Sequence, residues 1–377
     1  MRSSHVLTYL LIICVILAVG SGMAADTGAL TGASMPDLPP GQIQPAALTP
    51  SAADAAAAEA TSAPAAGLPA LETAGFATPV SRVHHYFPTL YNPRIASISY
   101  TEAPSEADPG EIAASQTDDA IPLLANNQIL AFYGHPFSRR MGILGEYSKE
   151  DLAKLLKGYA KLYDDANGPQ GVVPAFYLIY GTCWPGGDIG YLKDSVVIDY
   201  IDYAASQGML VFIDHQIGKY PVEEAVRRLL PFLKYPNVHL ALDPEWRTTA
   251  PMQEIGSITA DEVNMAQDMM RDYMNEQGIP GVRMLVVHQF RSSMILDREK
   301  VRADNERVLL VHTADGFGPP ALKKNTYALN ALADNLPLKG FKLFFRTSVP
   351  GAGYDDPLLT PPEVLQLTPR PVLIIYQ

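Results

Sequence analysis

From about residue 121 onward, short apolar runs bounded by turn residues alternate with stretches whose apolar positions recur every three to four residues. The first kind predicts buried strands and the second amphipathic helices. Eight strands are expected: NQILAFYGH (127–135), VVPAFYLIYGT (172–182), MLVFIDHQ (209–216), VHLALDPE (238–245), RMLVVHQF (283–290), VLLVHTAD (308–315), KGFKLFFRT (339–347) and PVLIIYQ (371–377). Helical patterns lie between them: SKEDLAKLLKGYAKLYDD, capped by Ser148, then LKDSVVIDYIDYAASQG, VEEAVRRLLPFLK, TADEVNMAQDMMRDYMNEQG and PPALKKNTYALNALADN. Strand and helix alternating over about 250 residues imply a parallel sheet with helices outside, and eight strands imply a closed (β/α)8 TIM barrel. A doubly wound open sheet is the competing architecture. Neither glycine-rich phosphate fingerprint follows the first strand, which removes the commonest reason to prefer it. The sequence stops with the eighth strand, so no eighth helix is expected.

The N-terminal third has a different texture. MRSSH leads into VLTYLLIICVILAVG and then SGMAAD, the pattern of a cleaved export signal over residues 1–25; if uncleaved, it would be a membrane anchor. Residues 26–120 are rich in Ala, Pro, Ser and Thr and read as a disordered spacer, with HHYFPTLYNP offering a partly ordered strap at 80–95. The adjacent His84 and His85 point apart in extended chain and make a poor metal pair. The barrel is expected over 121–377, and the protein is expected in the cell envelope or outside the cell. Of the two cysteines, Cys14 falls in the signal, which leaves Cys183 an unpaired thiol.

The formal charge of −12 is concentrated in the spacer, where eleven acidic residues face only Arg82 and Arg94. The barrel portion has no basic tract, which argues against nucleic acid as a partner.

Chemistry in a barrel collects where strands end, on loops that vary over a rigid frame. Polar residues pile up there: His135, then Asp214 and His215, Asp243 and Glu245, His288 and Gln289, His312 and Asp315, Arg346 and finally Tyr376. Trp184 and Trp246 lie just beyond strand ends, near Tyr133, Tyr180, Phe290 and Phe317. Flat apolar faces beside carboxylates suit pyranose rings, whose C–H faces stack while their hydroxyls need acceptors; the bland reading is that the rings cap the barrel core. Asp243 and Glu245 are two apart, and an extended strand would put both on one face about 6.6 Å apart. Pro244 favours that extended geometry at Asp243. Ionised Asp243 would then raise the proton affinity of Glu245 and let it donate to a leaving oxygen. Asp214 or Asp315 would be the partner carboxylate of a glycosidase. Tyr133, His135, Trp184, His215, Trp246, His288, Gln289, His312, Arg346 and Tyr376 are expected to contact substrate, and no cofactor is expected. In the competing reading, Arg247, Arg291 or Arg346 neutralises the acids in a buried ionic network.

Asp-Pro-Glu at the end of the fourth strand resembles the D-x-E ending of chitinase-type glycoside hydrolases. The resemblance implies that Glu245 is the proton donor and Asp243 its helper. The longer aspartate ladder of that family is absent, because His239 and Ala241 stand at the earlier same-face positions. More broadly, LALDPEWR, IGSITADEVN, VVHQFRSSMI and HTADGFG resemble uncharacterised exported bacterial proteins with a glycosidase-like barrel, over about residues 125–377. That resemblance implies fold and export, and no reaction. Two other functions use the same rim. One is a metal-dependent hydrolase, with ligands drawn from His135, His215, His288 and His312 and from Asp214, Asp243 and Asp315; it lacks the His-x-His and H-E-x-x-H signatures. The other is a non-catalytic carbohydrate-binding protein of the envelope.

Overall fold

Eight parallel strands close into a ring in the computed structural model, which describes residues 123–377. They are β1 (Asn127–His135), β2 (Gly171–Cys183), β3 (Leu210–Gln216), β4 (Val238–Asp243), β5 (Arg283–Gln289), β6 (Val308–Ala314), β7 (Lys339–Leu343) and β8 (Leu373–Tyr376). The ring closes because β1 pairs with both β2 and β8, with Asn127 opposite Gly171 and Ile129 opposite Leu373. The expected (β/α)8 barrel is the fold observed. The expected signal, spacer and 80–95 strap lie outside the described residues, as do Cys14 and the His84–His85 pair.

Side-chain alternation divides the strand residues between two buried clusters. Ile129, Ala131, Tyr133, Val173, Ala175, Tyr177, Phe212, Val286 and Ile375 fill the lumen, and Leu124 of the short helical turn Leu123–Asn126 joins them. Leu130, Phe132, Phe176, Val211, Leu242, Leu285, Leu310 and Ile374 face outward and pack under the helices. Each barrel residue is therefore committed by its parity either to the lumen or to the layer behind the wall. The chemistry of the rim depends on that division.

The helices are α1 (Lys149–Ala166), α2 (Asp194–Ser206), α3 (Val222–Leu229), α4 (Ala260–Glu276), α5 (Pro320–Ala331) and α6 (Pro361–Leu365). Ser148 caps α1 by accepting from the Asp151 amide. Thr259 and Glu262 form a reciprocal capping box on α4. The VEEAVRRLLPFLK stretch is one α-helix only to Leu229; Pro231 lacks an amide donor, and the chain tightens into a 3-10 turn over Leu230–Lys234. No α-helix joins β5 to β6. That link is irregular, and its backbone groups are satisfied by side-chain amides from both sides: Asn264 bonds the Lys300 carbonyl, Gln267 that of Arg302, and Asn335 those of Arg298 and Val301.

Candidate active site

Inward-facing polar residues from seven consecutive strands meet toward the C-terminal mouth of the barrel. Tyr133 comes from β1, Tyr177 from β2, Asp214 from β3, Asp243 from β4, His288 from β5 and Lys342 from β7; Asp315 follows the end of β6. All seven are buried. Tyr133 donates to Asp214 Oδ2 at 2.8 Å. Tyr177 Oη lies 2.6 Å from His288 Nε2, and the opposite nitrogen, Nδ1, is 2.7 Å from Asp315 Oδ2. The Lys342 ammonium sits 3.2 Å from that same oxygen and 3.7 Å from the Tyr133 ring centroid.

Charge is distributed unequally over this cluster. Burial works against a charge on His288, but Asp315, Asp243 and Asp214 outweigh it and raise the imidazole to about 9. Its two N–H groups therefore donate to Tyr177 and Asp315. Burial penalises ionised Asp315 as well, yet His288 and Lys342 hold it down at about 2. Lys342, opposed by burial, is raised by Asp315 and then by Asp243, Glu245 and Asp214. The outcome is an ionised core of Asp315, His288 and Lys342. Around it, Asp214 is pushed up by burial and Asp243 well up, by burial first and then by the charges of Glu245 and Asp214.

The strand alternation expected to align Asp243 and Glu245 does not operate, because the strand ends at Asp243 and Pro244–Trp246 form a 3-10 turn. The turn still brings the two carboxyl groups into hydrogen bond. Their proton order also differs from expectation. Glu245 rises to about 7 chiefly because it is desolvated, and the hydrogen bond from Asp243 pulls it down rather than up. Burial thus holds both carboxyl groups above their ordinary range, Asp243 well above it and Glu245 at about 7, where it exchanges its proton near neutrality. Asp214 Oδ1, Asp243 Oδ1, Glu245 Oε2 and Asp315 Oδ1 are buried acceptor atoms without a hydrogen-bond partner. Four such carboxyl oxygens gathered at one mouth are costly, as expected of a surface awaiting ligand hydroxyls.

Arginine does not neutralise these acids. Arg247 pairs with Glu262 at 2.7 Å and Arg346 donates to Tyr354, while Arg291 has no carboxylate partner among the described residues. The cations of the network are His288 and Lys342. Asp243, His288 and Asp315 each offer a ligand atom within 4.8 Å of the others, the spacing a metal ion would need. The donor set fits an ion badly, since both imidazole nitrogens are committed to hydrogen bonds and an ammonium already lies against Asp315.

The remaining sequence candidates divide by parity. His135 is half-buried at the mouth, its Nδ1 accepting from the Phe137 amide at 3.2 Å. Trp184 is 47% exposed, with its ring against Gly190, where a Cβ would collide with it. Trp246 is half-buried in the turn beside Glu245. Five candidates are not brought to the lumen, and they correct the sequence reading. His215 faces outward, its ring in the space a Cβ would take at Gly181 and its Nε2 3.3 Å from Tyr191 Oη. Gln289 and His312 bond each other at 2.7 Å behind the wall, where Arg298 and Lys339 complete the network. Tyr376 meets the Tyr163 hydroxyl at 2.8 Å in an outer aromatic cluster. Arg346, an exposed loop residue, stacks on Tyr354. Burial lifts the Cys183 thiol to about 11, which makes it a poor nucleophile. Two central residues escaped the sequence reading, Tyr177 and Lys342. Inward parity, counted from Val173 and Ala175 or from the strand's last residue, was the signal available for both.

No family model and no curated protein matches the chain. Solved structures similar to it include chitinase from Chromobacterium violaceum ATCC 12472, at 11% identity over 57% of this chain and 68% of that one, with a TM-score of 0.32. Another is Ostrinia furnacalis Group II chitinase catalytic domain 2, at 11% identity over 58% of this chain and 64% of that one, with a TM-score of 0.36. The GH18 chitinase ChiB of Flavobacterium johnsoniae is 8% identical over 67% of this chain and 87% of that one, with a TM-score of 0.37. Nothing about this chain's residues or substrate follows from likenesses of that order.

Proposed function

We propose that the protein is an exported glycosidase-like hydrolase, working on a carbohydrate by carboxylate general acid/base chemistry without a resident cofactor. One observation carries the reading: Asp243 and Glu245 share a hydrogen bond at the C-terminal mouth of the barrel, with Glu245 poised at about 7. A carboxyl group that is half protonated near neutrality can give a proton to a glycosidic oxygen and take one from water in the return step. Glu245 is also the one of the four mouth carboxylates that is not fully buried, so it is the one a ligand meets first. Asp243 holds it in place and Asp214 would supply the carboxylate for the developing cation at the sugar ring, while the net-positive Asp315–His288–Lys342 core favours the ionised forms of Asp214 and Glu245.

A second reading, carbohydrate binding without turnover, is favoured by the burial of Asp214 and Asp243 at 0% and 1% exposure. The test is a screen of the purified protein and its Glu245→Gln variant against cell-wall and plant glycans. Release of reducing ends by the wild type and not by the variant supports hydrolysis. Binding by both without release supports the second reading.

A further inference from the structure

Most arginines of the described chain are committed. Arg227, Arg228, Arg247, Arg271 and Arg302 each meet a carboxylate. Arg283, Arg298, Arg307 and Arg370 donate to carbonyl or amide oxygens. The side chains of Arg139, Arg140 and Arg291 form no ion pair or hydrogen bond among the described residues, although carboxylates outnumber Lys and Arg by 29 to 25 over residues 121–377. A shortage of partners therefore does not explain them. Glu146 lies close enough to feel Arg139 without pairing with it.

Their placement is selective. Arg139 and Arg140 sit on the hairpin strand Ser138–Gly142, which folds back on the end of β1, and Arg291 follows the end of β5 by two residues. In a closed ring of eight, β1 and β5 stand opposite each other, so the unpaired guanidinium groups flank the mouth from two sides with Glu245, beyond β4, between them. Large aromatic surface accompanies them: Phe137 is 73% exposed on the same hairpin, and Trp184 is 47% exposed beyond β2. An unpaired guanidinium presents a planar fork that matches a carboxylate, and an exposed ring presents a face for a sugar.

We propose that the mouth binds a glycan bearing carboxylate groups, a uronate-containing chain laid across it from β1 to β5, with Arg139, Arg140 and Arg291 on its carboxylates and Phe137 and Trp184 under its rings. This rests on the carbohydrate reading above and names the charge class of the ligand.

The experiment measures, by calorimetry, the binding of oligomers of polygalacturonate, alginate and a glucuronan to the full-length protein. Each is paired with its carboxyl-reduced, neutral counterpart. At least one acidic oligomer should bind about tenfold or more tightly than its reduced partner, and the gap should shrink between about 20 mM and about 300 mM salt. Arg140→Gln combined with Arg291→Gln should erase the gap, whereas Arg227→Gln, on the exposed face of α3, should leave it, with both variants melting like the wild type. Equal binding of acidic and reduced forms, binding confined to a sulfated dextran control, no binding at all, or a gap that survives the double substitution overturns the proposal. Repeating the titrations in Glu245→Gln separates the two ideas. Charge-selective binding with no turnover by the wild type keeps this inference and removes the hydrolase, while turnover indifferent to charge does the reverse.

Discussion

His288 Nδ1 lies 2.7 Å from Asp315 Oδ2, and the Lys342 ammonium reaches the same oxygen at 3.2 Å. Three charged groups from three strands thus share one point in a nearly solvent-free lumen. Removing one cation would leave the carboxylate under-compensated, which is costlier than never having buried the set. His288→Leu is expected to lose roughly 3–5 kcal/mol at pH 6 in chemical denaturation. The pH dependence has a definite sign. The folded imidazole is raised to about 9, so its contribution is complete below its ordinary value near 6.5 and is lost as pH rises through 9. Asp315, held at about 2, contributes fully above the ordinary carboxylate range and loses its contribution as pH falls through 2. The wild-type advantage over the variant should therefore be greatest between about pH 4 and 6.5 and narrower at pH 10. A gap of constant size over that range would refute the charge account.

Glu245→Gln removes the exchangeable proton and keeps the shape. On any glycan the wild type hydrolyses, the rate should fall by about 10²–10⁴-fold, while the wild-type profile declines on its alkaline side near 7. Stability behaves differently. Because burial raises the folded carboxyl to about 7, ionising it disfavours the folded state as pH climbs from the ordinary carboxylate range through that value. The variant is spared this. It should melt like the wild type near pH 4.5 and be more stable at pH 8, by about 1–2 kcal/mol once partial exposure is allowed for.

The hydrogen bond from Asp243 lowers the proton affinity of Glu245. Asp243→Ala removes that donor, whereas Asp243→Asn retains an amide that can still donate. The alkaline limb of the activity profile should accordingly move to higher pH in the alanine variant and stay closer to wild type in the asparagine variant. Were the limb to fall in the alanine variant, Asp243 would instead be an ionised neighbour raising Glu245, as strand alternation suggested.

The strand order and the polar crowding at strand ends were legible because apolar runs of strand length and their turn signals are local. Parity within each run was the harder part. Gln289 and His312 stand one residue away from the inward positions His288 and Thr313, and Tyr376 one away from Ile375, so reading strand ends without the face misplaced all three. Lys342 was hidden because KGFKLFFRT was read as one strand ending in Arg346; the barrel strand stops at Leu343, which makes Lys342 its last inward residue. Tyr177 was hidden for the opposite reason, since β2 runs six residues past it to Cys183 and its end gives no hint of the lumen below. The unpaired state of Arg291 and the proton order of Asp243 and Glu245 depend on long-range neighbours that local sequence does not specify.

His312 separates the two kinds of polar strand-end residue most directly. Its Nε2 is 2.7 Å from Gln289 Oε1, its Nδ1 is 3.3 Å from Lys339 Nζ, and the ring is kept well below its usual proton affinity by burial and by Lys339 and Arg298. It is a neutral spacer between the wall and α5, with no path to the lumen. His312→Leu deletes two hydrogen bonds, but Gln289 keeps Arg298 and Lys339 keeps the carbonyls of Asn330 and Ala333. The cost should therefore be moderate, about 1–3 kcal/mol in denaturation, with glycan affinity and the pH profile unchanged. A residue touching substrate would show the reverse, a loss of affinity of about tenfold or more at nearly wild-type stability, and that outcome would move the binding surface to the wrong side of the barrel wall.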